Sequence, residues 1–197
     1  MGKRICVFCA SSNRIASHYV EAAAHFARLA VVQGHTLVCG GTSKGLMGVL
    51  VGATVEAGGR IEGVVPGFMH EYGWTDKRLS QVTVVETMRE RKALMMKDAD
   101  AILAFPGAVG TLEEITEAIS LKRLGLFNKP IILLNLNHFY DPLLLFFDKM
   151  VEERMMEEGR RAWSVVERVE DILPAIEAEQ PYCPDIRNYH NVNDYGK

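Results

Sequence analysis

The chain has 197 residues, 48% of them hydrophobic, and a formal net charge of −3 at pH 7. That length suits one domain with a full core, and the mild acidity without a basic block argues against a nucleic-acid surface. No apolar run approaches the length needed to span a bilayer, so no membrane association is expected.

Strand-like runs alternate with helical ones along the chain. Arg4 to Phe8, Thr36 to Cys39, Arg60 to Val65, Val82 to Val85, Ala101 to Phe105, Pro130 to Leu134 and Ser164 to Val166 read as strands. Helical patterns cover Ser17 to Gln33, Leu46 to Ala57, Thr87 to Lys97, Thr111 to Arg123, Asp141 to Glu153 and Val169 to Ala178. This βαβα order predicts an α/β fold: a Rossmann-like, doubly wound, mainly parallel sheet with helices on both faces. Residues 1–179 are expected to form one nucleotide-binding domain and residues 180–197, poor in apolar periodicity, an extended or frayed tail. Met1-Gly2-Lys3-Arg4 leads at once into a strand and does not read as a signal peptide, so a cytoplasmic location is expected.

The first strand-helix turn, Phe8-Cys9-Ala10-Ser11-Ser12-Asn13, lacks the Gly-x-Gly-x-x-Gly spacing of dinucleotide-binding turns. Its serines, Ser11 among them, suit a phosphate or ribose hydroxyl, and equally suit helix capping. Cys6 and Cys9 form a Cys-x-x-Cys, but no His/Cys pair at zinc spacing completes four ligands. Cys6, Cys9, Cys39 and Cys183 therefore read as structural thiols, with no metal site expected.

Two glycine clusters follow strands and open helices. Cys39-Gly40-Gly41-Thr42-Ser43-Lys44-Gly45-Leu46-Met47-Gly48 is the first, with Gly41 and Gly45 as candidate contacts. Pro106-Gly107-Ala108-Val109-Gly110-Thr111-Leu112-Glu113-Glu114 is the second. A glycine turn lets backbone approach an anion, and the following helix aims N–H groups and its positive dipole end at it. Two such loops in one small domain point to one shared phosphorylated ligand. The order Lys44-Gly45 is not a Walker A ending, which lowers the ATPase reading. Between the clusters, Pro66 to Arg78 carries Phe68, Tyr72 and Trp74 and suits either a lid or a packed surface loop.

Met88-Arg89-Glu90-Arg91-Lys92 places three cations in the first turn of a helix, against its dipole, and a bound anion would resolve that conflict. Arg91 can grip phosphate through two N–H groups and Lys92 can add a point charge. In the helix after the second cluster, Leu112, Ile115 and Ile119 share one face and should pack on the sheet, while Leu121 and Leu124 project from the far side. That second stripe needs a partner: a second copy of the chain, giving a homodimer with helix 111–124 at or near the interface, or a neighbouring helix of the same chain.

Phe8-Cys9-Ala10-Ser11-Ser12, Gly40-Gly41-Thr42-x-x-Gly45-Leu46-Met47-Gly48, Gly63-Val64-Val65-Pro66, Met88-x-x-Arg91-Lys92-Ala93-x-Met95 and Pro106-Gly107-x-x-Gly110-Thr111-x-x-Glu114 together resemble the LOG ("lonely guy") family. The resemblance covers roughly Lys3 to Gly159. It implies a homodimeric cytokinin riboside 5′-monophosphate phosphoribohydrolase, releasing free base and ribose 5-phosphate from a nucleotide without metal or organic cofactor. By the same resemblance Arg91 and Glu114 are catalytic. Ser11, Gly41, Gly45, Met88, Lys92, Gly107, Ala108, Val109, Gly110, Thr111, Glu113 and Ser120 become substrate contacts.

The chain departs from the family pattern at Ala108 (second glycine of the cradle), Thr42 (third glycine of Gly-Gly-Gly), Arg89 (His) and Leu121-Lys122-Arg123-Leu124 (Trp-x-Gln-Leu). These positions leave open whether AMP or an N6-modified adenine nucleotide is preferred. A non-catalytic carrier resembling the molybdenum cofactor carriers is the alternative reading. The older lysine decarboxylase label would need a lysine bound to pyridoxal phosphate.

Overall fold

The computed structural model describes residues 2–156, 161–179 and 182. Seven parallel strands form one sheet in the order β4-β3-β2-β1-β5-β6-β7: β1 Arg4–Phe8, β2 Thr36–Cys39, β3 Arg60–Pro66, β4 Gln81–Val85, β5 Ala101–Ala104, β6 Ile131–Leu134 and β7 Ser164–Val166. The helices are α1 Ser17–Val32, α2 Gly45–Glu56, α3 Gly67–Glu71, α4 Met88–Lys97, α5 Val109–Arg123, α6 Asp141–Glu152 and α7 Ile172–Ala178. The α/β, doubly wound expectation holds.

Period-two alternation sends the side chains of each central strand to two different cores. Ile5 and Val7 of β1 join Phe26 of α1, Leu50 of α2 and Ile172 of α7 on one face. Cys6 and Phe8 point the other way, to Met95 of α4, Ile115 and Ile119 of α5 and Phe147 of α6. Burial on both sides is why these strands read as continuous apolar runs. Phe26 and Phe105 meet edge to face at 5.7 Å across the first core, a favoured aromatic geometry.

Strand order reverses direction between β1 and β5, which opens a crevice beyond their carboxyl ends. Both glycine clusters leave the sheet at that end, after β2 and after β5.

Several local expectations change. The Pro66 to Arg78 connection contains the short helix α3. Helix α5 begins at Val109, two residues earlier than its apolar pattern suggests, and α7 begins at Ile172 behind a 3-10 turn over Val169–Asp171. Leu112 does not pack on the sheet with Ile115 and Ile119 but stands at the surface, whereas Leu121 is half-buried against its own core. The proposed tail and Cys183 lie outside the described residues, Tyr182 excepted; Cys6, Cys9 and Cys39 are buried free thiols.

Candidate active site

Helix α5 starts with no side-chain cap at Ala108, and its first recorded intrahelical bond runs from Leu112 N–H to the Ala108 carbonyl at 3.0 Å. The N–H groups of Val109, Gly110 and Thr111 have no protein acceptor among the described residues. They are available to an anion, favoured by the helix dipole. Gly107 makes room for the turn: a Cβ there would stand 2.2 Å from the Thr111 hydroxyl oxygen.

The start of α2 is different, because the protein itself occupies it. Gly45 N–H donates to the Asn13 side-chain oxygen at 2.8 Å, and Leu46 N–H donates to the Ala10 carbonyl at 2.9 Å. Gly45 has φ +56°, and a Cβ would lie 2.5 Å from that Ala10 carbonyl oxygen. The two glycine loops therefore have unlike roles: one presents free donors, and the other locks the first turn onto α2.

Gly40 serves a third purpose. A Cβ on it would fall 1.7 Å from Nη2 of Arg91, so its bare backbone gives the guanidinium its place. Arg91 reaches there from α4, is buried, and donates from Nε to the Val64 carbonyl at 3.1 Å. Its Nη1 stands 3.5 Å from Oε1 of Glu114, a contact long enough to leave both groups capacity toward a ligand.

Glu114 is 9% exposed. Burial raises its pKa to about 7; Arg91 pulls the other way, less strongly, and the Glu113 carboxylate adds to the rise. The ion pair and the upward shift thus coexist, with desolvation dominant.

The cations of α4 are sorted by the fold. Thr87 accepts from Glu90 N–H at 3.1 Å while the Glu90 carboxylate accepts from Thr87 N–H at 3.2 Å, a capping box that satisfies the helix start without a bound anion. Arg89 points to solvent. Lys92 contacts Glu113 and lies 2.6 Å from Glu117. Desolvation would depress its pKa, but these carboxylates outweigh it and hold the ammonium charged.

A cavity of about 480 Å³ joins these groups. Of the residues expected from sequence, Ser11, Met88, Arg91, Ala108, Gly110, Thr111, Glu113 and Glu114 line it. Gly41, Gly45, Lys92, Gly107 and Val109 stand outside its lining, as does Ser120, whose hydroxyl donates to the Thr116 carbonyl at 2.8 Å. Sequence reasoning missed Lys44, Met47, Met69, Trp74 and Met95 as lining residues. Lys44 and Met47 do lie in the first glycine cluster and Met95 in the Met88 to Met95 family motif, and the aromatic content of the Pro66 to Arg78 connection hinted at Trp74.

A protein family described as "Possible lysine decarboxylase" matches residues 47–176, more than half of the chain. A cytokinin riboside 5′-monophosphate phosphoribohydrolase of Arabidopsis thaliana is 41% identical over 159 residues, covering 81% of this chain and 75% of that protein. The LOG enzyme of that name from Oryza sativa subsp. japonica is 38% identical over 183 residues, 89% of this chain and 76% of its own. The chain belongs to the LOG family. The molybdenum cofactor carrier protein of Chlamydomonas reinhardtii superposes with a TM-score of 0.70 at 21% identity, over 90% of this chain and 97% of the carrier, which is a likeness of fold.

Within the LOG family pattern, this chain's departures have local explanations. Ala108 has φ −91°, which any residue adopts, so the cradle closes without the second glycine. Thr42 is buried and its hydroxyl lies 3.6 Å from the Met47 sulfur. Lys122, at the open position of the Trp-x-Gln-Leu pattern, is buried, donates to the Lys129 carbonyl at 2.8 Å and pairs with Glu179.

Proposed function

We propose that the protein hydrolyses the N-glycosidic bond of a nucleoside 5′-monophosphate of the cytokinin type, releasing the base and ribose 5-phosphate. The carrying observation is the buried Arg91–Glu114 pair in a cavity bounded by the uncapped start of α5. The 5′-phosphate sits at that start, on the N–H groups of Gly110 and Thr111, and its binding energy orients the sugar remote from the bond broken.

Cleavage moves the C1′–N bonding electrons to the base and leaves an oxocarbenium-like sugar. The Glu114 carboxylate stabilises that cation and accepts the proton of the water that adds to C1′. The departing base takes its proton from solvent. Arg91 supplies fixed positive charge beside Glu114, where negative charge on phosphate or departing base is met without reorganisation.

The relatives' names support the cytokinin-type substrate. The protein acts as a homodimer through the exposed side of α5, where Leu112 and Leu124 are unpartnered among the described residues. A cytoplasmic setting suits the three buried free thiols.

The test is release of base and ribose 5-phosphate from isopentenyladenosine 5′-monophosphate and from AMP, with Glu114→Gln as control. Release that disappears in the variant supports the hydrolase. Tight nucleotide binding with no release from either would favour a carrier of the same fold.

A further inference from the structure

Segment 66–78 is pinned beside the cavity that its Met69 and Trp74 line, and this decides between the two readings the sequence allowed. Ser43 N–H donates to the Trp74 carbonyl at 3.0 Å, Asp76 N–H donates to the Gly41 carbonyl at 2.9 Å, and Thr42 bridges Thr75 in antiparallel fashion. Buried Asp76 then accepts from Nε of Arg78 at 3.0 Å and from its Nη2 at 2.7 Å, and Arg78 reaches on to the Gly48 carbonyl at 3.1 Å. A segment held to two separate stretches of the neighbouring loop and helix is a fixed wall rather than a swinging lid.

Trp74 is carried on that wall and lines the cavity. Its backbone N–H donates to the Met69 carbonyl at 3.0 Å, the Lys44 ammonium lies 4.2 Å from its ring centroid, and Tyr72 stacks at 5.7 Å. These contacts fix the indole's position. Met47, Met69 and Met88 line the same cavity.

Position along the sheet edge assigns this wall a partner. The α5 donors follow β5, whereas Trp74 and its neighbours are hydrogen-bonded to the loop that follows β2, with β1 between them. Two strand spacings make about 10 Å, a span on the scale of a nucleoside monophosphate with phosphate at one end and base at the other. Arg91 and Glu114 line the same cavity. The start of α5 offers backbone donors to the cavity, whereas Trp74 offers it an aromatic surface with the Lys44 ammonium beside the ring, and an aromatic surface suits a base.

We propose that Trp74 is the base-receiving wall of the cavity and determines which bases the enzyme accepts. The proposal rests on the hydrolase reading only for the identity of the nucleotide. Trp74 and Trp163 are the chain's two tryptophans, and Trp163 is buried against Phe147 in the α6 core. A Trp163→Phe, Glu114→Gln protein therefore reports on Trp74 alone. Its fluorescence should change saturably with AMP and with isopentenyladenosine 5′-monophosphate, and not with ribose 5-phosphate. In the otherwise wild-type enzyme, Trp74→Ala should raise KM about tenfold with kcat within about twofold, alter the ratio of kcat/KM between the two nucleotides, and be largely rescued by Trp74→Phe.

An equal fluorescence response to ribose 5-phosphate, no response to nucleotides that bind by calorimetry, or an unchanged KM and base ratio in Trp74→Ala overturns the proposal even if hydrolysis is confirmed. Conversely, nucleotide-specific quenching without base release from the wild-type protein keeps Trp74 as the base wall while the hydrolase reading fails.

Discussion

Nη1 of Arg91 stands 3.5 Å from Oε1 of Glu114, the two arriving from α4 and α5 on the same face of the sheet. Arg91 is fixed from behind by the Val64 carbonyl, so the free direction of both groups is toward the cavity. Glu114→Gln keeps the shape and removes the charge. Turnover of nucleotide should fall by about 10²–10⁴-fold in kcat, the range for a lost acid–base or charge-stabilising group. Nucleotide affinity, measured by calorimetry, should stay within a few-fold. A kcat near that of the wild type would remove Glu114 from the chemistry.

The pKa of about 7 at Glu114 predicts the acid limb of the rate profile. The reactive form is the carboxylate, so kcat/KM should rise with pH through about 7 and level above it. Lys92 favours that carboxylate and also neutralises Glu113 and Glu117. Lys92→Met should therefore move the limb to higher pH. A limb that stays in place in this variant would assign the titration to another group.

The same shift has a consequence for stability. A carboxyl whose folded pKa exceeds its ordinary value of 4.5 holds its proton more tightly when folded. Its contribution is complete below about pH 4.5 and is lost as pH rises through about 7, an effect on the order of 3 kcal/mol for full burial. The melting temperature of Glu114→Gln relative to wild type should thus increase between pH 5 and pH 8, whatever constant offset the unpaired Arg91 adds. A pH-independent difference would contradict the burial argument.

Gly40→Ala tests the seat of Arg91. The added methyl meets the far end of a side chain, so the fold should persist by circular dichroism while the guanidinium is displaced. Activity should drop at least about tenfold through loss of orientation. Gly45→Ala, in contrast, meets backbone at positive φ and should lower the melting temperature as well.

Leu124 is exposed at the end of α5, while Leu121 is half-buried in its own subunit's core. Leu124→Glu should lower the mass measured by light scattering if α5 forms the subunit interface, and leave the melting profile of the separated subunit little changed. An unaltered mass would move the interface elsewhere.

The alternation of apolar runs determined the strands, their parallel pairing and the strand ends at which the glycine loops lie. Those features depend on periods of two and 3.6 residues and on βαβ handedness, all of which are local. Arg91 and Glu114 stand out through the resemblance to the LOG family, and the glycine cradle through its spacing between a strand and a helix. The sequence could not separate the two glycine loops: the donors of α2 are taken by Asn13 and Ala10, which lie more than thirty positions upstream. Nor could it show that Lys92 faces Glu113 and Glu117, or that Trp74 lines the same cavity as the start of α5. Burial, which sets the acidity of Glu114, and the partners of a side chain both depend on which distant segments fold against it, and only the tertiary structure decides that.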